Sequence, residues 1–200
     1  MNKSGVSKVA LIAHPPVISN EFILKLAEGD KAFLPVVNIP RNSPKPTDKL
    51  RKFIGMGAKG LKIHAASDGE DETSKRYLSL LEAASQASLP VIIHTGCMHS
   101  RLLYRNSGFG EADRFEPWFR DFPKTKFILA HMNLHEPYKA MAIGENYSNV
   151  YVDTSWQPAE IIGEAVRRLG AERVLFGSDW PIVGNNLSIG LKRIRECVAA

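Results

Sequence analysis

The chain has 200 residues, of which 44% are hydrophobic and 24% charged, a composition typical of one folded domain over residues 1–200 and unlike that of a disordered chain. Its apolar runs are far shorter than the ~18 residues needed to cross a bilayer, and no signal peptide is recognisable, so we expect a cytoplasmic protein without a membrane partner. The net charge of +5 is dispersed along the chain, which predicts a solvated surface and no nucleic-acid partner.

Seven short apolar, β-branched runs in the sequence predict β-strands. In chain order they cover residues 9–13, 32–37, 60–63, 91–93, 127–130, 150–152 and 174–176. Helical patterns lie between them: at 47–56 and 159–169 the apolar residues share one face, and glycines follow as stop signals. A last helix is expected at 187–198. Each strand thus precedes a helical pattern, as in repeated βαβ units with parallel strands.

Two architectures fit this alternation, an open doubly wound sheet and a (β/α)₈ barrel. Only the barrel predicts polar functional groups at the C-terminal end of nearly every strand. The sequence has such groups at or just after the ends of its seven predicted strands: His14, Asn38, His64, His94, His131, Asp153 and Asp179. Because side chains two apart share a face of a strand, we expect Lys62 with His64, and Leu129 with His131, to face one common interior.

Converging His and Asp side chains would suit a divalent metal, since imidazole nitrogens and carboxylate oxygens are its usual ligands. An open sheet would scatter these side chains across its width, whereas a closed barrel brings them to one rim. We therefore expect a TIM-barrel-like (β/α) repeat with a polar cup at the C-terminal ends of its strands.

At these residues the sequence resembles a known family. The segments are GLKIH (60–64), LPVIIHTG (89–96), FILAHM (127–132), VYVDTS (150–155) and RVLFGSDWP (173–181). Together, and in this order, they resemble the amidohydrolase-related (amidohydrolase 2) family of metal-dependent TIM-barrel hydrolases and decarboxylases. The resemblance extends from about Gly5 to the C-terminus, and FGSDWP is its most specific part.

The resemblance implies a mononuclear divalent metal, usually zinc, at the strand ends. His94 matches the family's metal-binding histidine, His131 its acid–base histidine, and Asp179 its carboxylate on the last strand. Asp179 is therefore expected both to bind the metal and to accept a proton. The chemistry of the residues agrees, because an imidazole with a pKa near 6.5 can protonate a leaving group or a carbanion at neutral pH.

Several side chains are candidates for substrate contacts. Arg101, and less so Arg105, both in the loop after the predicted fourth strand, could clamp a carboxylate or could simply be exposed loop residues. Lys62 faces inward by strand parity and could serve an anionic substrate or a structural carboxylate such as Asp153. His64 could line the cup or bond to backbone. Trp156 and Trp180 could flank an aromatic ring or fill core space.

The sequence departs from the family pattern at its beginning. The family's first strand carries a His-x-His pair that supplies two further metal ligands, and no His-x-His occurs in this chain. The first recognisable strand matches the family's second, which leaves seven strands where a closed barrel has eight. Three explanations stay open, in this order: an N-terminally incomplete chain, a diverged member without a tightly held metal, and a non-catalytic remnant. An open barrel would expose strand edges and favour association between copies.

The sequence therefore predicts a metal-dependent hydrolase that cleaves a C–N or C–O bond of a small carboxylated or cyclic substrate through metal-activated water. The first alternative is a non-oxidative decarboxylase of an aromatic or unsaturated carboxylic acid that uses the same residues. The second alternative is a catalytically inactive barrel fragment. Product analysis separates the first two, and metal content separates the third from both.

Overall fold

The computed structural model describes residues 5–97, 102, 104–182 and 186–199. Its seven strands are β1 (Val9–Ile12), β2 (Phe33–Asn38), β3 (Gly60–Ile63), β4 (Val91–His94), β5 (Phe127–Ala130), β6 (Val150–Asp153) and β7 (Val174–Leu175). They form one parallel sheet in sequence order from β1 to β7. All seven predicted strands are confirmed, each to within one residue at its ends.

Helices connect the strands and cover one face of the sheet. They are α1 (Asn20–Gly29), α2 (Pro46–Gly55), α3 (Ala65–Asp68), α4 (Lys75–Gln86), α5 (Glu116–Asp121), α6 (Pro137–Asn146), α7 (Ala159–Leu169) and α8 (Asn186–Ala199). Local signals set their ends: Ser19 caps α1 by accepting a hydrogen bond from the Phe22 N–H, and Gly170 terminates α7. No helix in the described part of the chain is long and apolar enough to cross a membrane.

The main hydrophobic core lies between the helices and the outer face of the sheet. Strand residues such as Leu61, Val91 and Phe127 pack there with Trp118 and Tyr77 from the helices, and all five are at most 1% exposed. Burying a large apolar side chain contributes roughly 1.5–3 kcal/mol, so this layer supplies most of the stability of the fold. A smaller apolar cluster of Val36, Ile92, Ala130 and Ile128 occupies the inner face. The cup lies above this inner cluster.

The sheet ends at β1 and β7 without closing. Among the described residues neither of these strands has a second strand neighbour, so the fold is a TIM-barrel-like sheet of seven strands rather than a closed barrel. Apolar side chains are exposed beside both free edges, including Ile12 and Phe22 near β1 and Phe176 and Ile182 near β7. Unpaired parallel edges of this kind are open to pairing with a further strand.

The prediction that Leu129 lies on the inner face with His131 is wrong. Leu129 packs in the helix-facing core, and its neighbour Ile128 belongs to the inner cluster instead. His131 nevertheless reaches the cup, because the chain leaves β5 through a left-handed turn in which φ is positive at all four residues from His131 to Leu134. This turn changes the direction of the side chain, which strand alternation alone cannot anticipate.

Candidate active site

His64 and His94 form one wall of the cup, at the ends of neighbouring strands. Their rings are stacked, with centroids 3.8 Å apart and an angle of 16° between the planes. His64 also caps α3, because its Nδ1 accepts a hydrogen bond from the Ser67 N–H at 3.3 Å. Tyr104 lies beside the pair, with its ring centroid 5.6 Å from that of His64 and 5.9 Å from that of His94.

His131 contacts this wall from the end of β5. Its Nε2 lies 3.2 Å from Nδ1 of His94, and its Nδ1 lies 2.7 Å from Oγ of Ser155. The Ser155 hydroxyl donates a short hydrogen bond to Oδ1 of Asp153, the last residue of β6. The same carboxylate oxygen accepts hydrogen bonds from the backbone N–H groups of His131 at 3.1 Å and Ser155 at 2.9 Å. Asp153 therefore fixes both the backbone and the ring of His131.

These contacts determine where the protons lie. Because the single hydroxyl proton of Ser155 goes to Asp153, its oxygen must accept a hydrogen bond from Nδ1–H of His131. The Nε2 atom of neutral His131 is then an acceptor, so Nδ1 of His94 donates to it. This order leaves a lone pair on Nε2 of His94, an atom that is buried and has no hydrogen-bond partner. A buried acceptor without a partner is costly and points to a ligand.

Burial keeps the three imidazoles neutral. It lowers the pKa of His64 and of His94 well below the usual 6.5, and the positive charge of Lys62 lowers both further. Burial also lowers the pKa of His131, although the carboxylates of Asp153 and Asp179 act in the opposite direction. Neutral imidazoles can accept protons or bind metal ions, which protonated rings cannot do.

Lys62 lies on the inner face of β3, as its strand parity predicts, between Asn38 of β2 and Ile92 of β4 in the strand register. Burial lowers its pKa to about 8, although Asp153 and Asp179 partly offset this effect. No direct hydrogen bond or ion pair joins its amine to another residue in the described ranges. The structural ion pair with Asp153 that the sequence left open is therefore not formed.

Asp179 lies on the opposite side of the cup, after β7. Its Oδ2 accepts a hydrogen bond from the indole N–H of Trp156 at 2.9 Å, and both residues have left-handed backbone conformations, with φ of 51° and 70°. Trp156 is 40% and Trp180 67% exposed, so neither fills core space. Asp179 is close enough to act electrostatically on Lys62 and His131. Gly177, two residues earlier, leaves room for Asp153, since a Cβ there would lie 2.7 Å from its Oδ1.

Further residues hold the site together and were not among the sequence candidates. The hydroxyl of Thr95 donates to the carbonyl of Ala130 at 2.6 Å and accepts from the Asn133 N–H at 3.1 Å, which bridges the left-handed turn. Gly96 packs directly against this turn: a Cβ at position 96 would lie 2.4 Å from the carbonyl carbon of Asn133. The HTG sequence at 94–96 was the available signal for both contacts.

The remaining candidates lie elsewhere. Arg101 falls outside the described residues, so its predicted role as a substrate clamp stays a prediction. Arg105, in the same loop, is exposed. The structure thus brings His64, His94 and His131 into one contact cluster, with Lys62 and Asp179 in its electrostatic reach.

The donor atoms of this site are of the types that bind divalent cations. His94 offers a buried imidazole nitrogen with a free lone pair, and Asp179 offers a carboxylate. The part of the chain that the structure describes contains no group of three or more His, Cys, Asp or Glu side chains placed to hold an ion together. Since tight sites use three or four protein ligands, these two donors alone predict weak binding.

Solved structures with the same architecture span nearly the whole chain. An uncharacterised TIM-barrel protein from Bordetella bronchiseptica matches with a TM-score of 0.81 and 17% identity, over 96% of this chain and 71% of its own. A 5-carboxyvanillate decarboxylase from Novosphingobium aromaticivorans, complexed with manganese, matches with a TM-score of 0.75 and 16% identity, over 95% and 70%. A probable 2-pyrone-4,6-dicarboxylic acid hydrolase from Acinetobacter baumannii matches with a TM-score of 0.68 and 11% identity, over 100% and 79%. At these identities the likeness shows the fold.

The family follows from the sequence itself. No curated protein matches the chain. The Amidohydro_2 family model, described as amidohydrolase, matches residues 5–194, which is nearly the full length and includes every strand. This match confirms the resemblance carried by the strand-end motifs, and the chain belongs to the amidohydrolase family.

Proposed function

We propose that this chain is a metal-dependent hydrolase that cleaves a C–N or C–O bond of a small carboxylated or cyclic substrate. The observation that carries the proposal is the His94 ring, whose Nε2 is buried without a partner while His131 fixes its other nitrogen. His94 and Asp179 would hold the cation, with zinc as the expected metal. When bound, a divalent cation acidifies water and polarises a carbonyl oxygen.

The chain's own residues would manage the protons. His131 is neutral and oriented through Ser155, so it can take up a proton at Nε2 and return it to a leaving group. Asp179 keeps one carboxylate oxygen free of the Trp156 bond and can accept the proton of the attacking water. Asp153 holds His131 in place and does not contact substrate in this scheme.

The substrate would lie between the two sides of the cup. Lys62 and His64 would contact it there, and Arg101, in the chain segment after β4, is proposed as a further contact. A carboxylated substrate agrees with the names of the similar structures, which act on 5-carboxyvanillate and, for the probable hydrolase, 2-pyrone-4,6-dicarboxylic acid. A cytoplasmic location, the absence of a nucleic-acid partner and association between copies belong to the same proposal.

A direct test compares His131→Ala with wild type on 2-pyrone-4,6-dicarboxylate, with zinc or manganese added. Since general acid–base catalysis contributes about 10²- to 10⁴-fold, turnover should fall by that factor while the metal content of the protein stays unchanged. His135→Gln is the matched control, because His135 is exposed. An undiminished rate in His131→Ala would remove this residue from the mechanism.

Decarboxylation of an aromatic acid is the second candidate, and one observation favours it. The stacked rings of His64 and His94, with Tyr104 beside them, form a flat wall suited to a planar aromatic ring. In this reaction His131 would protonate the ring carbon that loses the carboxylate. Release of carbon dioxide from 5-carboxyvanillate would establish it, and hydrolysis of a substrate without such release would exclude it.

Metal binding separates both enzymes from a non-catalytic remnant. Zinc or manganese titrated into the purified protein should bind, and His94→Gln should weaken this binding about tenfold or more, because Asp179 would be the one proposed protein donor left. His135→Gln should bind as wild type does. If neither metal binds to wild-type protein, the non-catalytic reading is favoured over both enzymatic ones.

A further inference from the structure

Lys62 lies on the inner face of β3, next to the histidine cluster of the cup. Its stem lies beside Ile92 in the strand register, above the inner apolar cluster. Its positive charge acts on all three imidazoles of the site, and the carboxylates of Asp153 and Asp179 act on it in turn. The amine is therefore within electrostatic reach of groups at the ends of β3 to β7.

In spite of this position, no residue that the structure describes binds the amine: none accepts a hydrogen bond from Nζ or forms an ion pair with it. A buried structural lysine is normally paired, because an unpaired buried charge is costly. Among the described residues, the inward amine is therefore available to a ligand.

The charges around the amine favour a neutral ligand. Lys62 contributes one positive charge, whereas Asp153 and Asp179 contribute two negative charges and the imidazoles none. Without a cation, a carboxylate ligand would enter a cup that is already net negative. Burial lowers the pKa of Lys62 to about 8, so that roughly 10% of the amine carries a free lone pair at pH 7.

We propose that Lys62 is a carbonyl-reactive amine, which condenses with a small neutral aldehyde or ketone bound in the cup to form an imine. The Nζ lone pair attacks the carbonyl carbon, a C–N bond forms, and the carbonyl oxygen takes up a proton to give a carbinolamine. Nitrogen then loses its proton, the protonated hydroxyl departs as water, and a C=N bond remains. Asp153 and Asp179 act electrostatically on the amine, and their carboxylates can take up and return these protons through water. The step needs no metal and goes beyond the proposed hydrolysis.

Reductive trapping tests this inference without knowledge of the substrate. Metal-free wild-type protein is incubated at pH 7 with acetaldehyde and cyanoborohydride, whose hydride reduces the imine to a stable secondary amine. Peptide mass spectrometry then follows the modification of each lysine over time. Lys59 and Lys124 are the internal references, because both are exposed. Lys62 should be modified about tenfold faster than either, since a larger fraction of its amine is neutral.

Two further arms decide between alternative outcomes. Lys62→Arg should lose the fast adduct while Lys59 and Lys124 react as before, and Lys124→Arg is the matched control. Modification of Lys62 no faster than that of the references overturns the inference, and so does protection by acetate without any fast adduct, which would identify a simple anion site. The wild-type comparison needs no variant, so it holds even if Lys62→Arg does not fold. If Lys62 proves unreactive, the result of the metal titration with His94→Gln is not affected, so the two proposals can fail independently.

Discussion

The two sides of the cup differ in how firmly their functional side chains are held. On the β3–β6 side, His64 is a helix cap, His94 is stacked and hydrogen-bonded, and His131 is fixed through Ser155 and Asp153. On the β7 side, the described residues supply one hydrogen bond to the Asp179 carboxylate, and it comes from a tryptophan that is 40% exposed. One side is preorganised, whereas the other is held weakly.

The two sides differ because the described sheet does not close into a barrel. The β4 and β5 strands have strand neighbours on both sides. The β7 strand has two residues and is an edge in the described structure, and the side chains of Leu175 and Phe176 beside it are 36% and 38% exposed. Closing a barrel would bury this region and restrict Asp179. The preorganised side is thus independent of closure, while the carboxylate side depends on it.

The largest expected effect is on the preorganised side. Gly96→Ala should destabilise the protein by about 3 kcal/mol or more, because the new Cβ would meet the Asn133 backbone at 2.4 Å in a left-handed conformation with φ of +68°. Gly57→Ala is the matched control: its φ is +99° and nothing lies within 4 Å, so only the backbone term of about 1–2 kcal/mol applies. Urea denaturation measures both, and equal losses would contradict the close packing of the turn.

Acid should also weaken the preorganised side. Because the folded-state pKa values of His64, His94 and His131 are lowered, the unfolded chain binds more protons below pH 6.5. Stability should therefore be fully present above this pH and fall as pH decreases, by up to about 1.4 kcal/mol per pH unit for each histidine.

Histidine variants show which residue causes the loss of stability at low pH. Denaturation measured from pH 7 to 5 should be less steep for His64→Gln than for wild type, since one buried neutral imidazole is gone. The exposed His135 provides the control, and His135→Gln should keep the full slope. Equal slopes for wild type and His64→Gln would mean that His64 titrates in the folded protein as it does in the unfolded chain.

The smallest expected effect is on the weakly held side. Trp156→Phe removes the hydrogen bond from the indole N–H to the Asp179 carboxylate, yet this bond is exposed, so the loss of stability should be about 1 kcal/mol or less. Trp180→Phe, also exposed, should change stability by no more than about 0.5 kcal/mol. A loss of several kcal/mol in Trp156→Phe, measured by urea denaturation, would show that this side is as rigid as the other.

Much of this arrangement could be predicted from the sequence. Strand ends are marked by β-branched runs followed by a polar residue, and this pattern located His64, His94 and Asp153 at the cup directly. The left-handed turn at 131–134 could not be predicted, since it contains no glycine, and Met132 and Leu134 are residue types that rarely adopt positive φ. Its cause is non-local, because Thr95 and Gly96, just after the neighbouring strand β4, hold it in place.

The proposed function depends most on a free lone pair on Nε2 of His94, on the preorganised side of the cup. ¹⁵N NMR of the metal-free protein with labelled histidine tests it directly, because the two ring nitrogens of each tautomer have distinct chemical shifts. We expect His94 and His131 to be neutral at pH 7, each with its proton on Nδ1. A proton on Nε2 of His94 would contradict this expectation, since Nε2 could then not bind a cation and Nδ1 would have no proton to donate to His131.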